Sequence, residues 1–582
     1  MHVGGKNMYR EKYEFWLNSS YLDDEEKLEL KNIKDEKEIE DRFYKDLEFG
    51  TGGLRGIIGV GTNRLNIHTI GKTTEGLSRY LIEAYGSNIS VAIAYDCRIM
   101  SEEFAKAAAS NLCANGIIVN LFGTLHPTPM LSYAVRELKC KAGIVITASH
   151  NPKNYNGYKV YGEDGGQVTD KIANKILSYI NNVNDFSEIK RMDIKEAENR
   201  KILNIIGEDI DKPYIEKVKQ MVIRKDMVSS CGKNLNVIYT PLHGTGNIPV
   251  RRALKELGYE NVFIVKEQEY PDGNFPTAVC PNPEDPKVFQ LALELAKELK
   301  PDIIFGTDPD CDRIGIIVKY DDNNYRTLTG NQVGILLTEY ILSSLKELNR
   351  LPENGVIIKT IVTTEMVRDI AKDYNVGLID VLTGFKYIGE KIKEFEQWQD
   401  KKFIFGFEES YGYLAGDFVR DKDAVIASTL ICEMALYYKM KGINIYEALI
   451  NLYNKYGFYK ENIISIELKG KEGCEEMDTI LEYLRHSMKR TLGGVKIVKK
   501  LDYKLSIEKD LVNITENVIQ LPKSNVLKFV MEDKSWFVVR PSGTEPKIKL
   551  YFSVIGNSFK DSEEKMEILK QNVMTIIKDA KC

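Results

Sequence analysis

Gly143-Ile144-Val145-Ile146-Thr147-Ala148-Ser149-His150-Asn151-Pro152 is the stretch on which the fold of this chain turns. Its apolar opening run has the pattern of a strand buried on both faces of a parallel sheet. Open sheets of that kind hold ligands just past the carboxyl ends of their strands. Ser149 therefore stands at the mouth of a cleft, between Thr147 and His150 and ahead of the helix-breaking Asn151-Pro152, as a candidate nucleophile or phosphate carrier. An ordinary turn closing the strand is the alternative that so short a motif leaves open.

Around this stretch, strand and helix alternate: strand 91–96, a helix from Ser101 to near Gly116, strand 117–122, helix 128–139 and strand 143–147. Alternation of this kind implies right-handed crossovers and a mostly parallel sheet. It recurs at strand 235–240, which runs into Pro241-Leu242-His243-Gly244-Thr245-Gly246, and on through strand 261–265, helix 286–299 and strand 302–307. A third series has helix 331–346, strand 355–361, helix 364–374, strand 376–382, helix 386–396, strand 402–407 and helix 423–441. Beyond about residue 455 the strands at 461–468, 495–500, 526–531 and 535–540, with helices at 475–489 and 561–580, suggest an antiparallel α+β domain. The expected architecture is α/β in four domains. A helical extension over 1–45 precedes three similar units with mostly parallel mixed sheets, over 46–205, 206–325 and 326–455, and the α+β domain covers 456–582.

The length of 582 residues agrees, since single cores stop growing near ~250 residues. An apolar fraction of 43% and a charged fraction of 28% are those of a soluble globular chain. The net charge of −5, from 80 basic and 85 acidic residues, gives no general pull toward nucleic acid or an anionic membrane. The 9 cysteines are scattered singly with no Cys-x-x-Cys pair, which argues for free thiols in a reducing compartment and against structural zinc. The N-terminus lacks an apolar signal core, and the apolar stretch from Ala424 to Tyr438 is interrupted by Glu433. These features point to a cytoplasmic protein with small molecules and not nucleic acid or membrane as partners; a monomer or weak homodimer is the expected state.

Four polar loops carry the chemistry. Lys159 follows the serine loop closely enough to reach the same cleft, where a partly desolvated ammonium can act as acid or base, although most lysines are solvated surface charges. Asp308-Pro309-Asp310-Cys311-Asp312-Arg313 ends an apolar run, and alternate carboxylates in a tight turn converge on one hard cation. An EF-hand would need glycine where Arg313 stands and glutamate where Lys319 stands, and an aspartyl-nucleophile phosphotransferase of the haloacid-dehalogenase type would need Thr or Val in place of Asp312. Mg²⁺ suits three carboxylates better than zinc does, because no His or Cys cluster accompanies them.

The third loop, Gly406-Phe407-Glu408-Glu409-Ser410-Tyr411-Gly412, offers adjacent carboxylates suited to vicinal sugar hydroxyls. The fourth, Arg540-Pro541-Ser542-Gly543-Thr544-Glu545-Pro546-Lys547, joins a guanidinium, two hydroxyls, a glycine amide and an ammonium, a donor set suited to phosphate. Earlier in the chain, Gly50-Thr51-Gly52-Gly53-Leu54-Arg55-Gly56 presents one basic side chain on a glycine-dense backbone. Gly71-Lys72-Thr73 imitates the end of a P-loop, but Asn66 stands where that motif requires glycine.

Taken together, Thr147 to Pro152, Asp308 to Arg313, Glu408-Glu409-Ser410 and Arg540 to Pro546 resemble, in order and spacing across roughly residues 45 to 560, the α-D-phosphohexomutase family of phosphoglucomutases and phosphomannomutases. The resemblance implies four domains around one deep cleft. It makes Ser149 the phosphoserine and, with Asp308, Asp310 and Asp312, a ligand of Mg²⁺. Lys159, Arg313, His150 and Arg55 are implied as catalytic. Glu408, Ser410 and Lys386 would read the sugar, and Arg540, Ser542, Gly543, Thr544 and Lys547 would clamp its non-reacting phosphate. The implied reaction interconverts α-D-glucose 1-phosphate and glucose 6-phosphate through glucose 1,6-bisphosphate, which also serves as activator. The Glu-Glu-Ser form looks like the glucomutase branch. Cys311, where Gly or Ala is commoner, and the run Thr383-Gly384-Phe385-Lys386-Tyr387 look like a longer branch that includes phosphopentomutases. Pentose or mannose phosphates, or a metal-dependent sugar phosphatase, stay open as alternatives.

Overall fold

Short buried runs of Val, Ile and Ala build the first sheet, whose strands are β1 (Gly53–Ile57), β2 (Ser90–Tyr95), β3 (Ile118–Phe122), β4 (Ala142–Ile146), β5 (Tyr155–Gly162) and β6 (Leu203–Ile206), ordered β1-β5-β4-β2-β3-β6. Strands β4, β2, β3 and β6 pair in parallel, while β5 runs antiparallel between β4 and β1. The stretch 155–162 had no strand assigned to it in the sequence. Its glycines explain why: a Cβ on Gly157 would lie 2.5 Å from the Thr147 carbonyl oxygen and 2.9 Å from that of Leu54, so only glycine lets β5 pass between its neighbours.

The computed structural model describes residues 5–50, 52–321, 324–468, 470–488, 490–541 and 547–580. It divides into two compact units. The first comprises Met1–Thr329, Phe385–Gly406 and Ser410–Asn444; the second comprises Gly330–Gly384, Phe407–Glu409 and Ile445–Cys582.

In the first unit, helices α1 (Gly5–Asn18), α2 (Asp24–Lys31) and α3 (Glu36–Phe43) form the N-terminal extension. Their buried faces, Tyr13, Trp16, Leu30 and Phe43 among them, pack together with Val60 of the following domain. Helix α4 (Ile67–Tyr85) buries Ile70, Leu77 and Leu81, and α5 (Ser101–Ala114) buries Phe104 and Leu112, all against the sheet residues Val91, Ile93, Ile144 and Ile146. Each such side chain contributes about 1.5–3 kcal/mol on leaving water. That packing holds the carboxyl end of β4, and with it Ser149, on a rigid frame. Helix α7 (Asp170–Asn181) completes this layer, while α6 (Thr128–Glu137) packs on the opposite face of the sheet, where a Cβ on Gly143 would lie 2.5 Å from Val135.

The second sheet follows the same logic, with β7 (Val237–Thr240), β8 (Val262–Ile264), β9 (Ile303–Thr307), β10 (Ile314–Lys319) and β11 (Tyr325–Thr327) ordered β11-β10-β9-β7-β8. Strands β9, β7 and β8 are parallel, and β10 returns antiparallel after the aspartate loop. The loop after β7 serves that return. A Cβ on Gly244 would lie 2.5 Å from Pro309 Cα, and the Thr245 N–H and hydroxyl each donate to the Pro309 carbonyl at 2.9 Å.

In the second unit β12 (Gly355–Thr360) and β13 (Gly377–Val381) pair in parallel. Strand β14 (Lys402–Glu408) belongs to the first unit up to Gly406, as does β15 (Gly412–Ala415). Among the described residues, strands between Phe458 and Gly556 form an antiparallel sheet backed by the helix Phe559–Asp579, over a core that includes Phe529, Phe537, Leu550 and Ile577. The architecture is therefore the expected α/β fold with a C-terminal antiparallel α+β domain. Among the described residues no helix is long and apolar enough to cross a membrane.

Candidate active site

The first unit brings together the ends of β4 and β9. Ser149 Oγ donates to Asp308 Oδ2 at 2.7 Å and lies 3.1 Å from His150 Nδ1. Ser149 is 3% exposed and sits in the left-handed region at φ 53°, and Cys311 (φ 51°) and Tyr411 (φ 63°) do so in the next two loops. Non-glycine residues held there store strain that the surrounding structure must over-determine. For Ser149 the restraints are visible. Its N–H donates to Thr147 Oγ1 at 2.8 Å, Thr147 donates to Asp96 Oδ2 at 2.6 Å, and buried Arg98 donates to the carbonyls of Ser149 (2.6 Å), Asn151, Pro152 (2.9 Å) and Tyr155 (3.0 Å).

Asp308, Asp310 and Asp312 are buried and offer oxygens all within 4.8 Å of one another. Asp308 Oδ1 accepts the N–H groups of Asp312 (3.1 Å) and Arg313 (3.0 Å), which closes the loop. Asp310 Oδ1 and Asp312 Oδ1 have no hydrogen-bond partner although both are buried. An orphaned buried carboxylate oxygen is costly, and two of them beside a third carboxylate fit a divalent cation.

Two ammonium groups face this cluster. Lys159 on β5 lies 3.0 Å from Asp310 Oδ2 and 3.9 Å from Asp312 Oδ2, and Lys422 lies 3.1 Å from Asp312 Oδ2 and 2.9 Å from Asp421. Burial, with repulsion from Asp310 and Asp312, pushes the Asp308 carboxyl well above its ordinary range. Burial, the largest single influence, acts on Asp310 in the same sense, but Lys159, Asp308 and Lys422 together outweigh it and hold that carboxyl low. His150 is held well below its ordinary value by burial and then by Arg313 and Arg55, so its imidazole is neutral near neutral pH. Arg313 pairs with Glu284 at 2.7 Å, and Arg55 donates to Asn151 Oδ1 at 3.1 Å. Lys386 belongs to the same unit and is engaged by Asp170 at 2.6 Å.

Sequence reasoning missed Arg98, Thr128 and Lys422. Asp96-Cys97-Arg98 ends an apolar strand just as the four quoted loops do, and that position was the available signal. Thr128 donates to Asp310 Oδ2 at 3.0 Å from the start of α6. Lys422 lies in Arg420-Asp421-Lys422-Asp423, a run indistinguishable by composition from a solvated turn.

The second unit holds the other expected groups. Glu408 is buried and accepts the Gly384 N–H at 2.8 Å. Glu409 accepts hydroxyls from Thr360 (3.2 Å) and Thr363 (3.3 Å). Burial and neighbouring Glu408 raise its carboxyl to about 7. Arg540 donates to the Tyr551 hydroxyl at 3.4 Å, and burial with the charge of Glu409 pushes that phenol up to about 12. Lys547 pairs with Glu467 at 3.2 Å. Ser410 is part-buried in the first unit. Ser542, Gly543 and Thr544 lie outside the described residues.

The chain matches, in order, phosphoglucomutase/phosphomannomutase alpha/beta/alpha domain I over residues 46–186, domain II over 212–321, domain III over 329–456 and the C-terminal domain over 497–569. It is 38% identical to a phosphoglucomutase of Staphylococcus saprophyticus over 520 residues, covering 89% of this chain and 92% of that one. It is also 38% identical to a phosphoglucomutase of Staphylococcus aureus over 539 residues, covering 92% and 94%. Among solved structures, a putative phosphomannomutase from Thermus thermophilus superposes with a TM-score of 0.67 at 21% identity, over 92% of this chain and 99% of that one. Parafusin, a phosphoglucomutase from Paramecium, does so at 0.65 and 16%, over 92% and 95%. The two superpositions speak to fold alone, whereas the domain matches and the staphylococcal relatives decide kinship: the chain belongs to the phosphoglucomutase/phosphomannomutase family.

Proposed function

We propose that the protein is a phosphoglucomutase, which interconverts α-D-glucose 1-phosphate and glucose 6-phosphate through a phosphorylated Ser149. The observation that carries this reading is the 2.7 Å contact of Ser149 Oγ with a buried aspartate trio that Lys159 also faces. Phosphoserine 149 gives its phosphoryl group to the free hydroxyl of a sugar monophosphate. The P–Oγ bond breaks, a sugar O–P bond forms, and the hydroxyl proton ends on Ser149 Oγ. The product, glucose 1,6-bisphosphate, turns over and returns its other phosphoryl group to Ser149.

Neutral His150, 3.1 Å from Oγ, and Lys159 are the groups placed to relay that proton. Asp308, Asp310 and Asp312, with an oxygen on Ser149, would hold Mg²⁺, which when bound neutralises charge on the transferring group. Arg313 and Lys422 add positive charge at the same place, and positioning supplies much of the remaining acceleration. Glu408, Ser410 and Lys386 take the sugar hydroxyls, and the loop from Arg540 to Lys547 takes the non-reacting phosphate. The free thiols among the described residues support a reducing, cytoplasmic setting.

The test assays the purified enzyme on glucose, mannose and ribose 1-phosphates with catalytic glucose 1,6-bisphosphate. Fastest turnover on glucose 1-phosphate, dependent on the bisphosphate, is expected. Release of free phosphate matching sugar phosphate loss would favour a phosphatase, and a faster mannose or ribose rate would reassign the substrate.

A further inference from the structure

Three successive carbonyls of the aspartate loop are held from three separate segments of the first unit. The Pro309 carbonyl accepts from Thr245, the Asp310 carbonyl accepts the Thr128 N–H at 3.0 Å, and the Cys311 carbonyl accepts the Ala424 N–H at 3.2 Å. Of these three partners only Thr128 goes on to a carboxylate: its hydroxyl donates to Asp310 Oδ2 at 3.0 Å. That bond spans 182 residues and joins the first α/β domain to the metal loop of the second.

Thr128 is suited to a fixed contact. It opens α6 between Pro127 and Pro129, and of the three residues it alone carries an N–H. That N–H belongs to the first turn, where no carbonyl of the helix itself can take it, so Asp310 supplies the acceptor. The residue is fully buried, and its β-branched side chain has little χ1 freedom with which to leave its partner.

Asp310 Oδ2 has two donors, the Thr128 hydroxyl and the Lys159 ammonium, each at 3.0 Å. They differ in what they can hold. The ammonium is a point charge on a flexible four-carbon stem and follows a carboxylate that rotates, whereas the hydroxyl sits on buried helix backbone and does not. The terminal torsion of an aspartate is broad and roughly two-fold, so a neighbour has to set it. With Oδ2 satisfied twice, the buried Oδ1 is left without a hydrogen-bond partner.

We propose that Thr128 is a positioning residue for the metal centre: by fixing Asp310 Oδ2 it reserves Oδ1 for the divalent cation, and so ties the cation's site to the domain that carries Ser149. This role rests on the reading of the aspartate trio as a Mg²⁺ site, and Thr128 lies outside the four loops on which that reading was built.

The test is calorimetric titration with Mg²⁺ of the full-length protein, freed of metal by a chelator, as wild type, Thr128→Ser and Thr128→Val. Removing a hydrogen-bond partner from behind a metal ligand costs roughly 10–100-fold in affinity, so Thr128→Val, which loses only the hydroxyl, should bind Mg²⁺ about tenfold or more weakly than the wild type. Thr128→Ser keeps both the hydroxyl and the N–H and should stay within about threefold of the wild type. Turnover of glucose 1-phosphate by Thr128→Val should return toward the wild-type rate as Mg²⁺ is raised, which a general loosening of the fold would not allow. Mg²⁺ bound by Thr128→Val as tightly as by the wild type, a Thr128→Ser variant as weak as Thr128→Val, or turnover that excess Mg²⁺ leaves low overturns the role. Thr128→Ala gives the same comparison should the valine variant not fold. Absence of Mg²⁺ binding by the wild type is a different failure, since it removes the metal site itself and this role with it.

Discussion

Ser149 Oγ and Asp308 Oδ2 are 2.7 Å apart across 159 residues of chain, each at the carboxyl end of a parallel strand in a different sheet. Two α/β layers must therefore keep their register for a hydroxyl to meet the acidic trio. Replacing Ser149 by Ala leaves both layers intact, because the side chain is small and its backbone is held by Arg98. A fall in glucose 1-phosphate turnover of more than about 10³-fold with a near-native melting temperature is expected in a coupled assay. Retained turnover would reject Ser149 as carrier.

The Arg98 guanidinium binds four carbonyls of the serine loop and holds it in the strained conformation. Arg98→Lys keeps the charge and loses the fork, at a cost of about 2–4 kcal/mol in stability. Because Arg98 acts through the loop and not on substrate, kcat should fall about tenfold or more while KM stays near the wild-type value. An equal rise in KM would mean that Arg98 contributes to binding.

The two orphaned oxygens, on Asp310 and Asp312, predict metal dependence. A chelator should stop turnover and lower the melting temperature, since three carboxylates are left to repel, and Mg²⁺ should restore both. Asp312→Asn should weaken Mg²⁺ binding by about tenfold or more in a calorimetric titration. Full activity in excess chelator would remove the metal from the account.

Glu409 predicts a pH effect whose sign follows from its raised value. Its carboxyl titrates near 7 in the folded chain against an ordinary value of 4.5, so between those values the folded state holds a proton that the unfolded chain releases. Stability is accordingly unaffected below the lower value and declines as pH rises toward 7. Glu409→Gln keeps an oxygen for Thr360 and Thr363 and should gain about 2–3 kcal/mol over wild type at about pH 8, with the gain vanishing near pH 4. Urea denaturation at the two pH values measures it, and a gain independent of pH would contradict the assignment.

Arg540→Ala should raise KM for the sugar phosphate about tenfold or more with a smaller effect on kcat, because the guanidinium is assigned to the phosphate that does not react. Steady-state kinetics with glucose 1-phosphate decide it, and unchanged KM would undo the clamp assignment.

The candidate residues that sequence made legible share one property: each stands where an apolar strand ends in a polar loop, so the local pattern marks it. Ser149, the aspartates and Glu408 were readable for that reason. Lys422 was not, because its role depends on Asp312, more than a hundred positions away, and a lysine between two aspartates has no local signature. Strand β5 escaped because Gly157, the residue that admits it between β4 and β1, lowers strand propensity wherever it stands.

The most direct test of the phosphoserine mechanism follows one phosphoryl group. The dephosphorylated enzyme is mixed with glucose 1,6-bisphosphate labelled in both phosphates, digested, and its peptides are analysed by mass spectrometry. The account predicts one label per chain, on the peptide carrying Ser149, discharged when unlabelled glucose 1-phosphate is added. Label on any other residue, or none while turnover proceeds, would contradict it.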